Sequence, residues 1–204
     1  MIRIARTLVV ACLLALAACG TIPQRNPVGA TATEALWAQR RNQLAAIAAF
    51  SLQGRIAGGG VLGGSGDLNW QQTGDRSQVL FSGALGVGAI RIEGSPDDFS
   101  IRTRDGEYRA DEARALLRER LGGELPLADL RYWILGMPRP GDAAALALDE
   151  AGRLSRLDQD GWHLDYLDYR SWAGEPGIDL PHKLTLKRGD SKWRVVIDVW
   201  SGIS

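Results

Sequence analysis

From Phe50 onward the chain alternates apolar and polar positions with a period of two. Phe50, Leu52, Gly54 and Ile56 fall on one side and Ser51, Gln53 and Arg55 on the other, before a glycine-rich turn leads to Leu68 and Trp70 alternating with Asn69 and Gln71. That spacing predicts two strands joined by a hairpin. Val79 and Phe81 follow the turn Thr73-Gly74-Asp75, then Ile90 and Ile92 alternate with Arg91 and Glu93, and Phe99 and Ile101 come after Ser95-Pro96-Asp97-Asp98. One apolar face per strand, with short turns between neighbours, predicts an antiparallel meander. The pattern resumes at Leu154 to Gln159, turns at Asp160-Gly161, continues through Trp162, Leu164 and Tyr166, and ends with Lys183 to Lys187 and Lys192 to Trp200. On the last strand Val195, Ile197 and Val199 alternate with Arg194, Val196, Asp198 and Trp200, so the pattern leaves its inward face open.

Helical spacing precedes and interrupts the strands. A helix is expected from Thr33, with Thr33 as N-cap, Glu34 in the first turn and a patchy apolar face of Leu36, Trp37, Leu44, Ile47 and Ala48. Within the meander, Asp111 is expected to cap a segment with Ala113, Leu116, Leu117 and Leu121 on one face and Gly122-Gly123 as its stop. Pro126 suits the first turn of a second segment carrying Leu127, Leu130, Trp133 and Ile134, ended by Gly136. Roughly eight to eleven strands with so few helices predict a mostly β (α+β) fold: a curved antiparallel sheet with a helical cover.

The N-terminus adds an address. Met1 to Arg6 is a short basic head, and Thr7 to Leu16 is an apolar run of about ten residues, too short to span a bilayer. This is the layout of a secretory signal peptide, and Leu16-Ala17-Ala18-Cys19 resembles the lipobox of bacterial lipoproteins. The resemblance implies cleavage before Cys19, a diacylglycerol on its thiol and a third acyl chain on its new amino group. At roughly 0.8 kcal/mol per buried methylene, three chains hold a protein on a membrane. In lipoprotein sorting an aspartate after the cysteine marks inner-membrane retention; Gly20 stands there, which implies the outer membrane. The expected division is residues 1–18 as a removed signal peptide, 19–32 as acylated cysteine and tether, and 33–204 as one domain. Pro23, Asn26, Pro27 and Gly29 give the tether little to bury.

Composition narrows the classes of function. Loss of residues 1–18 shortens the chain from 204 to 186 residues and lowers the basic count from 24 to 22 against 24 acidic residues, so nothing in the charge favours nucleic acid. Cys12 leaves with the signal and Cys19 is acylated, so no disulfide is expected and stability must come from burial. Gly58 to Gly63 spells G-x-G-x-x-G but leads into another strand with no helix to receive a pyrophosphate, and reads as a hairpin loop. His163 and His182 lack partners at metal-ligand spacing, and the paired aspartates Asp97-Asp98 and Asp158-Asp160 fall in turns. No cofactor or metal is therefore expected, and no enzyme. Seven tryptophans suit either core packing or an apolar interior left partly open for acyl chains.

Several segments together carry a resemblance. They are Phe50 to Ile56, Asn69-Trp70-Gln71-Gln72, Ala84-Leu85-Gly86, Tyr108 to Ala113, Leu125-Pro126-Leu127 with Tyr132 to Pro138, and Gln159-Asp160-Gly161-Trp162. From about Trp37 to Trp200 the chain resembles the LolB family of outer-membrane lipoprotein receptors. The resemblance implies an unclosed antiparallel β-barrel with an α-helical lid over an apolar cavity. It implies a protein that accepts lipoproteins from the periplasmic carrier LolA and inserts them into the inner leaflet of the outer membrane without nucleotide hydrolysis. Its partners would be a LolA-like carrier, lipoprotein acyl chains and membrane lipid, and a monomer is expected, lipid-anchored and facing the periplasm.

The family also bears an exposed leucine on a protruding loop that takes part in delivery. By position that leucine is Leu85, with Ala84 where relatives usually have proline. The cavity is expected to use Trp70, Phe81, Ile90, Ile92, Leu117, Trp133 and Ile134, chosen by strand or helix face. The alternative is a structural or assembly lipoprotein of the outer membrane with a solid core and no lipid cavity. A void under the helices of Asp111 to Gly136 separates the two.

Overall fold

Eleven strands form one antiparallel sheet in the computed structural model, which describes residues 28–58, 64–83, 88–121, 126–172 and 178–204. The strands are β1 (Ala49–Gly58), β2 (Gly64–Thr73), β3 (Arg76–Gly83), β4 (Ile90–Gly94), β5 (Phe99–Thr103), β6 (Gly106–Arg109), β7 (Ala144–Leu148), β8 (Leu154–Gln159), β9 (Trp162–Ser171), β10 (Asp179–Arg188) and β11 (Ser191–Ser201). In space they run β6-β5-β4-β3-β2-β1-β11-β10-β9-β8-β7. Two meanders are thus joined by the pairing of the first strand with the last, and β6 and β7 remain as the two edges. The sheet is curved and unclosed. β1 and β2 pair out to Gly58↔Gly64, so the glycine-rich stretch connects a hairpin.

The seam between β1 and β11 resolves the inward face of the last strand. Gln53 pairs with Val199 and Gly54 with Ile197, which leaves Asp198 as an extra residue and makes a β-bulge. The bulge reverses the alternation. Trp193, Val195 and Ile197 are buried, Val199 is 51% exposed, and Trp200 turns back to meet Phe50 edge-on at 5.5 Å. Gly54 is required here, because a Cβ would lie 2.2 Å from the Val196 carbonyl oxygen and 2.9 Å from Ile197 Cα.

Two strands escape the periodicity. β7 reads Ala-Ala-Leu-Ala-Leu, a composition that favours helix, and becomes a strand only through its pairing with β8 from Ala144↔Gln159 to Leu148↔Leu154. β6 is only four residues long and has no buried face. Asp160-Gly161 makes the expected turn, with φ of 51° and 73° at its two central residues.

Three helices accompany the sheet: α1 (Val28–Ala45), α2 (Ala110–Leu121) and α3 (Leu127–Trp133). α1 begins at Val28, ahead of the expected Thr33, and ends before Ile47 and Ala48. Its buried stripe is Trp37, Arg40 and Leu44, spaced three and four residues apart, while Leu36 is 45% exposed. Hydrophobicity alone conceals this stripe because a cation sits at its centre. Arg40 lies over the Tyr169 ring at 5.3 Å and donates to the Asp179 carbonyl. Asp111 does not cap α2; it lies inside the first turn, fully exposed, and accepts from Arg114 at 3.2 Å. α2 packs on β5 and β6 through Ala113 and Leu117. The expected stop at Gly122-Gly123 lies outside the described residues. All of the described core falls between Trp37 and Ile203, so a chain starting at Gly20 carries it complete.

Candidate functional site

Beneath α3 the inner faces of the sheet enclose an apolar cavity of about 40 Å³. Leu130 and Trp133 of α3, with Ile134 directly after, form its roof. One wall comes from β1, β2 and β3, through Ile56, Leu68, Trp70, Val79 and Phe81. The other comes from β9, β10 and β11, through Trp162, Leu184, Leu186, Trp193 and Val195. The β1–β11 seam is what brings these two walls together, since it joins the meanders they belong to.

Of the residues expected at the cavity, Trp70, Phe81, Trp133 and Ile134 line it. Ile90, Ile92 and Leu117 are buried in the neighbouring core without lining it. Ile92 faces Ile101 across the β4–β5 pair, on the side of the sheet covered by α2. Cys19 and Leu85 lie outside the described residues. Sequence reasoning named no residue of the second wall, and it left out Ile56, Leu68, Val79 and Leu130. The alternation around Trp162 and Leu164 was visible, but which faces converge depends on pairings between residues more than a hundred positions apart.

The roof is fastened from several sides. Trp133 is fully buried, its Nε1–H donates to Gln159 Oε1 at 2.8 Å, and its carbonyl accepts from the Tyr166 hydroxyl at 2.8 Å. Burial pushes the Tyr166 phenol well above its ordinary range, so it stays a donor at any physiological pH. Gln159 is satisfied at both ends of its amide, since it also accepts from Arg139 N and donates to Arg139 O, each at 2.9 Å. On the solvent side Asp129 of α3 meets Arg139 at 2.6 Å, as an ion pair without hydrogen-bond alignment. Burial raises the Asp129 carboxyl above the usual carboxylate range against the opposing pull of Arg139. Arg139 in turn is raised: burial alone would lower it, and Asp129, Asp142 and Asp160 outweigh that. Gly136, at φ 83°, ends the helical segment where a Cβ would stand 3.1 Å from the Tyr169 hydroxyl and 3.2 Å from Pro181 Cγ.

A cavity of about 40 Å³ holds little more than a water or two, whereas pockets that enclose small ligands run to about 300–1,000 Å³. The interior accepts a hydrocarbon chain only if its roof moves. The polar ties on α3 number a handful, each worth about 1 kcal/mol net, and lifting α3 must also offset the burial of Trp133, so entry of the chain has to supply the compensating apolar contact. Among the described residues no cluster of His, Cys, Asp or Glu is placed to hold a metal ion, and no helix is long and apolar enough to cross a membrane.

Comparison with known proteins agrees with this geometry. The family model for the outer membrane lipoprotein LolB matches residues 48–200. The outer-membrane lipoprotein LolB of Nitrosococcus oceani is 37% identical over 89% of this chain and 90% of its own, and that of Stutzerimonas stutzeri is 34% identical over 96% and 95%. Among solved structures, a LolA superfamily protein from Nitrosomonas europaea shares the fold with a TM-score of 0.52 at 10% identity, over 83% of this chain and 92% of that one. On the family match and these identities, the chain belongs to the LolB family of outer-membrane lipoproteins.

Proposed function

We propose that this protein is the receptor that takes lipoproteins from a LolA-like periplasmic carrier and inserts them into the inner leaflet of the outer membrane, with no nucleotide hydrolysed. The observation that carries this reading is the apolar cavity roofed by α3 in a chain of the LolB family. Acyl chains of the cargo enter between the two walls once α3 lifts, and each buried methylene contributes roughly 0.8 kcal/mol. The solid-core alternative is less well supported, because the relatives that match nearly the whole chain are LolB proteins. Cys19, acylated after removal of residues 1–18, would anchor the protein at the bilayer as a monomer, with the barrel facing the periplasm.

Delivery is assigned to Leu85, in the connection between β3 and β4. A leucine entering the bilayer surface gives the cargo chains an apolar path out of the cavity. Leu85→Glu is expected to leave uptake from the carrier unchanged and to slow insertion by roughly a hundredfold, since a charged side chain in hydrocarbon costs about 2.5–3.5 kcal/mol. A two-stage assay with labelled lipoprotein, carrier and vesicles separates the steps. Insertion at the original rate would remove Leu85 from the mechanism.

A further inference from the structure

Four tryptophans line the cavity, and they fall into two pairs. The indole N–H of Trp70 donates to Gln72 at 3.0 Å, and that of Trp133 to Gln159 at 2.8 Å. Both glutamines are themselves buried, at 4% and 2% exposure. The fold thus supplies each of these two donors with a buried glutamine acceptor. Trp162 and Trp193 are treated differently. They are 3% and 4% exposed, and among the described residues neither Nε1–H has a hydrogen-bond partner.

An orphaned buried donor costs about 1–3 kcal/mol, and native interiors hold few of them. Water does not answer the need, because a bound water requires two to four polar partners and every other group lining this cavity is hydrocarbon or an indole already engaged. The two residues are also not scattered. Leu164, Leu186 and Trp193 are successive cross-strand partners on β9, β10 and β11, and Trp162 stands two residues before Leu164 on the same face. Trp162 lies directly under the roof, its ring 6.0 Å from that of Trp133. Trp193 is accommodated by Gly58, where a Cβ would come within 3.2 Å of its ring.

We infer that Trp162 and Trp193 are the polar recognition elements of the cavity, and that their indole N–H groups donate to the carbonyl oxygens of ester- or amide-linked fatty-acyl chains. Lifting of α3 takes Trp133 off Trp162 and frees its wall for the ligand. The hydrocarbon then replaces side-chain packing, and the acyl carbonyl supplies the acceptor the empty fold lacks. The site therefore distinguishes an acyl ester from a plain alkane of the same length, which an all-hydrocarbon cavity cannot do. This rests on the reading that acyl chains occupy the cavity.

The test uses the chain from Gly20 to Ser204, which carries the whole described core. Methyl palmitate and heptadecane are delivered from cyclodextrin, and binding is read by displacement of an environment-sensitive apolar dye. Trp162→Phe and Trp193→Phe, each backed by replacement of the same tryptophan with 3-benzothienylalanine to keep the ring shape while removing the donor, are compared with the unaltered chain. Each loss of a donor is expected to weaken the ester about fivefold to tenfold and to leave the alkane unchanged. The benzothienyl variants, having shed an unsatisfied donor, are expected to melt no lower than the original when empty. Ester affinity that survives both benzothienyl replacements overturns the inference, as does an equal fall for ester and alkane, which marks lost packing. Failure of the unaltered chain to bind either probe refutes the acyl-cavity premise itself, and is thereby distinguishable from failure of the donors.

Discussion

Trp133→Ala is expected to cost about 3–5 kcal/mol, the range for deleting a large buried aromatic, and to lower the melting temperature of a domain this size by roughly 10 °C. The residue combines several of the roof's ties to the barrel interior: full burial, a tilted contact with Trp162 at 6.0 Å, a donated hydrogen bond to Gln159 and an accepted one from Tyr166. Trp133→Phe isolates the donated bond. Gln159 keeps both of its bonds to Arg139, so no acceptor is stranded and the expected loss is only about 1–2 kcal/mol. Chemical denaturation of the two variants gives the comparison directly. Equal losses would mean that Trp133 is held by its hydrogen bond and not by burial.

Gly54→Ala should be nearly as damaging although it adds a single methyl group. The added Cβ would stand 2.2 Å from the Val196 carbonyl oxygen, and both clashing partners belong to backbone that cannot rotate aside. Overpacking of this kind costs about 1–3 kcal/mol, and the upper end applies because the clash is with a paired strand. The site of damage matters as much as its size. β1 and β11 are the only link between the two meanders in the sheet order, so a loosened bulge separates the two cavity walls. Dye binding to the cavity is therefore expected to fall in parallel with stability, while a methyl group added at Gly74, which meets nothing within 4 Å, disturbs the protein only through its φ of 59°.

Strands β1 to β5 are readable because each buries one face, so that Phe50, Leu52, Trp70, Val79, Phe81 and Ile92 alternate with polar residues. The same logic failed at the last strand for a local reason. A bulge at Asp198 exchanges the inward and outward positions, and no period of two registers an extra residue. α1 is legible in part: Trp37 and Leu44 lie on its buried stripe as their spacing suggests, but Arg40 occupies the centre of that stripe and Leu36 is exposed. Four of the thirteen lining residues, Trp70, Phe81, Trp133 and Ile134, are legible in the sequence, because their strand or helix buries one face. The second wall, with Leu184, Leu186, Trp193 and Val195, depends on the closure of β1 against β11, a contact between positions some 140 residues apart that the sequence pattern does not encode.

The central claim is that the space under α3 receives the acyl chains of other lipoproteins. Its most direct test mixes the purified chain from Gly20 to Ser204 with a LolA-like carrier already loaded with a labelled lipoprotein, followed by separation of the two proteins. The account predicts that the label leaves the carrier and co-purifies with this chain, without added nucleotide. A label that stays on the carrier, while circular dichroism shows the receiving chain folded, would contradict it.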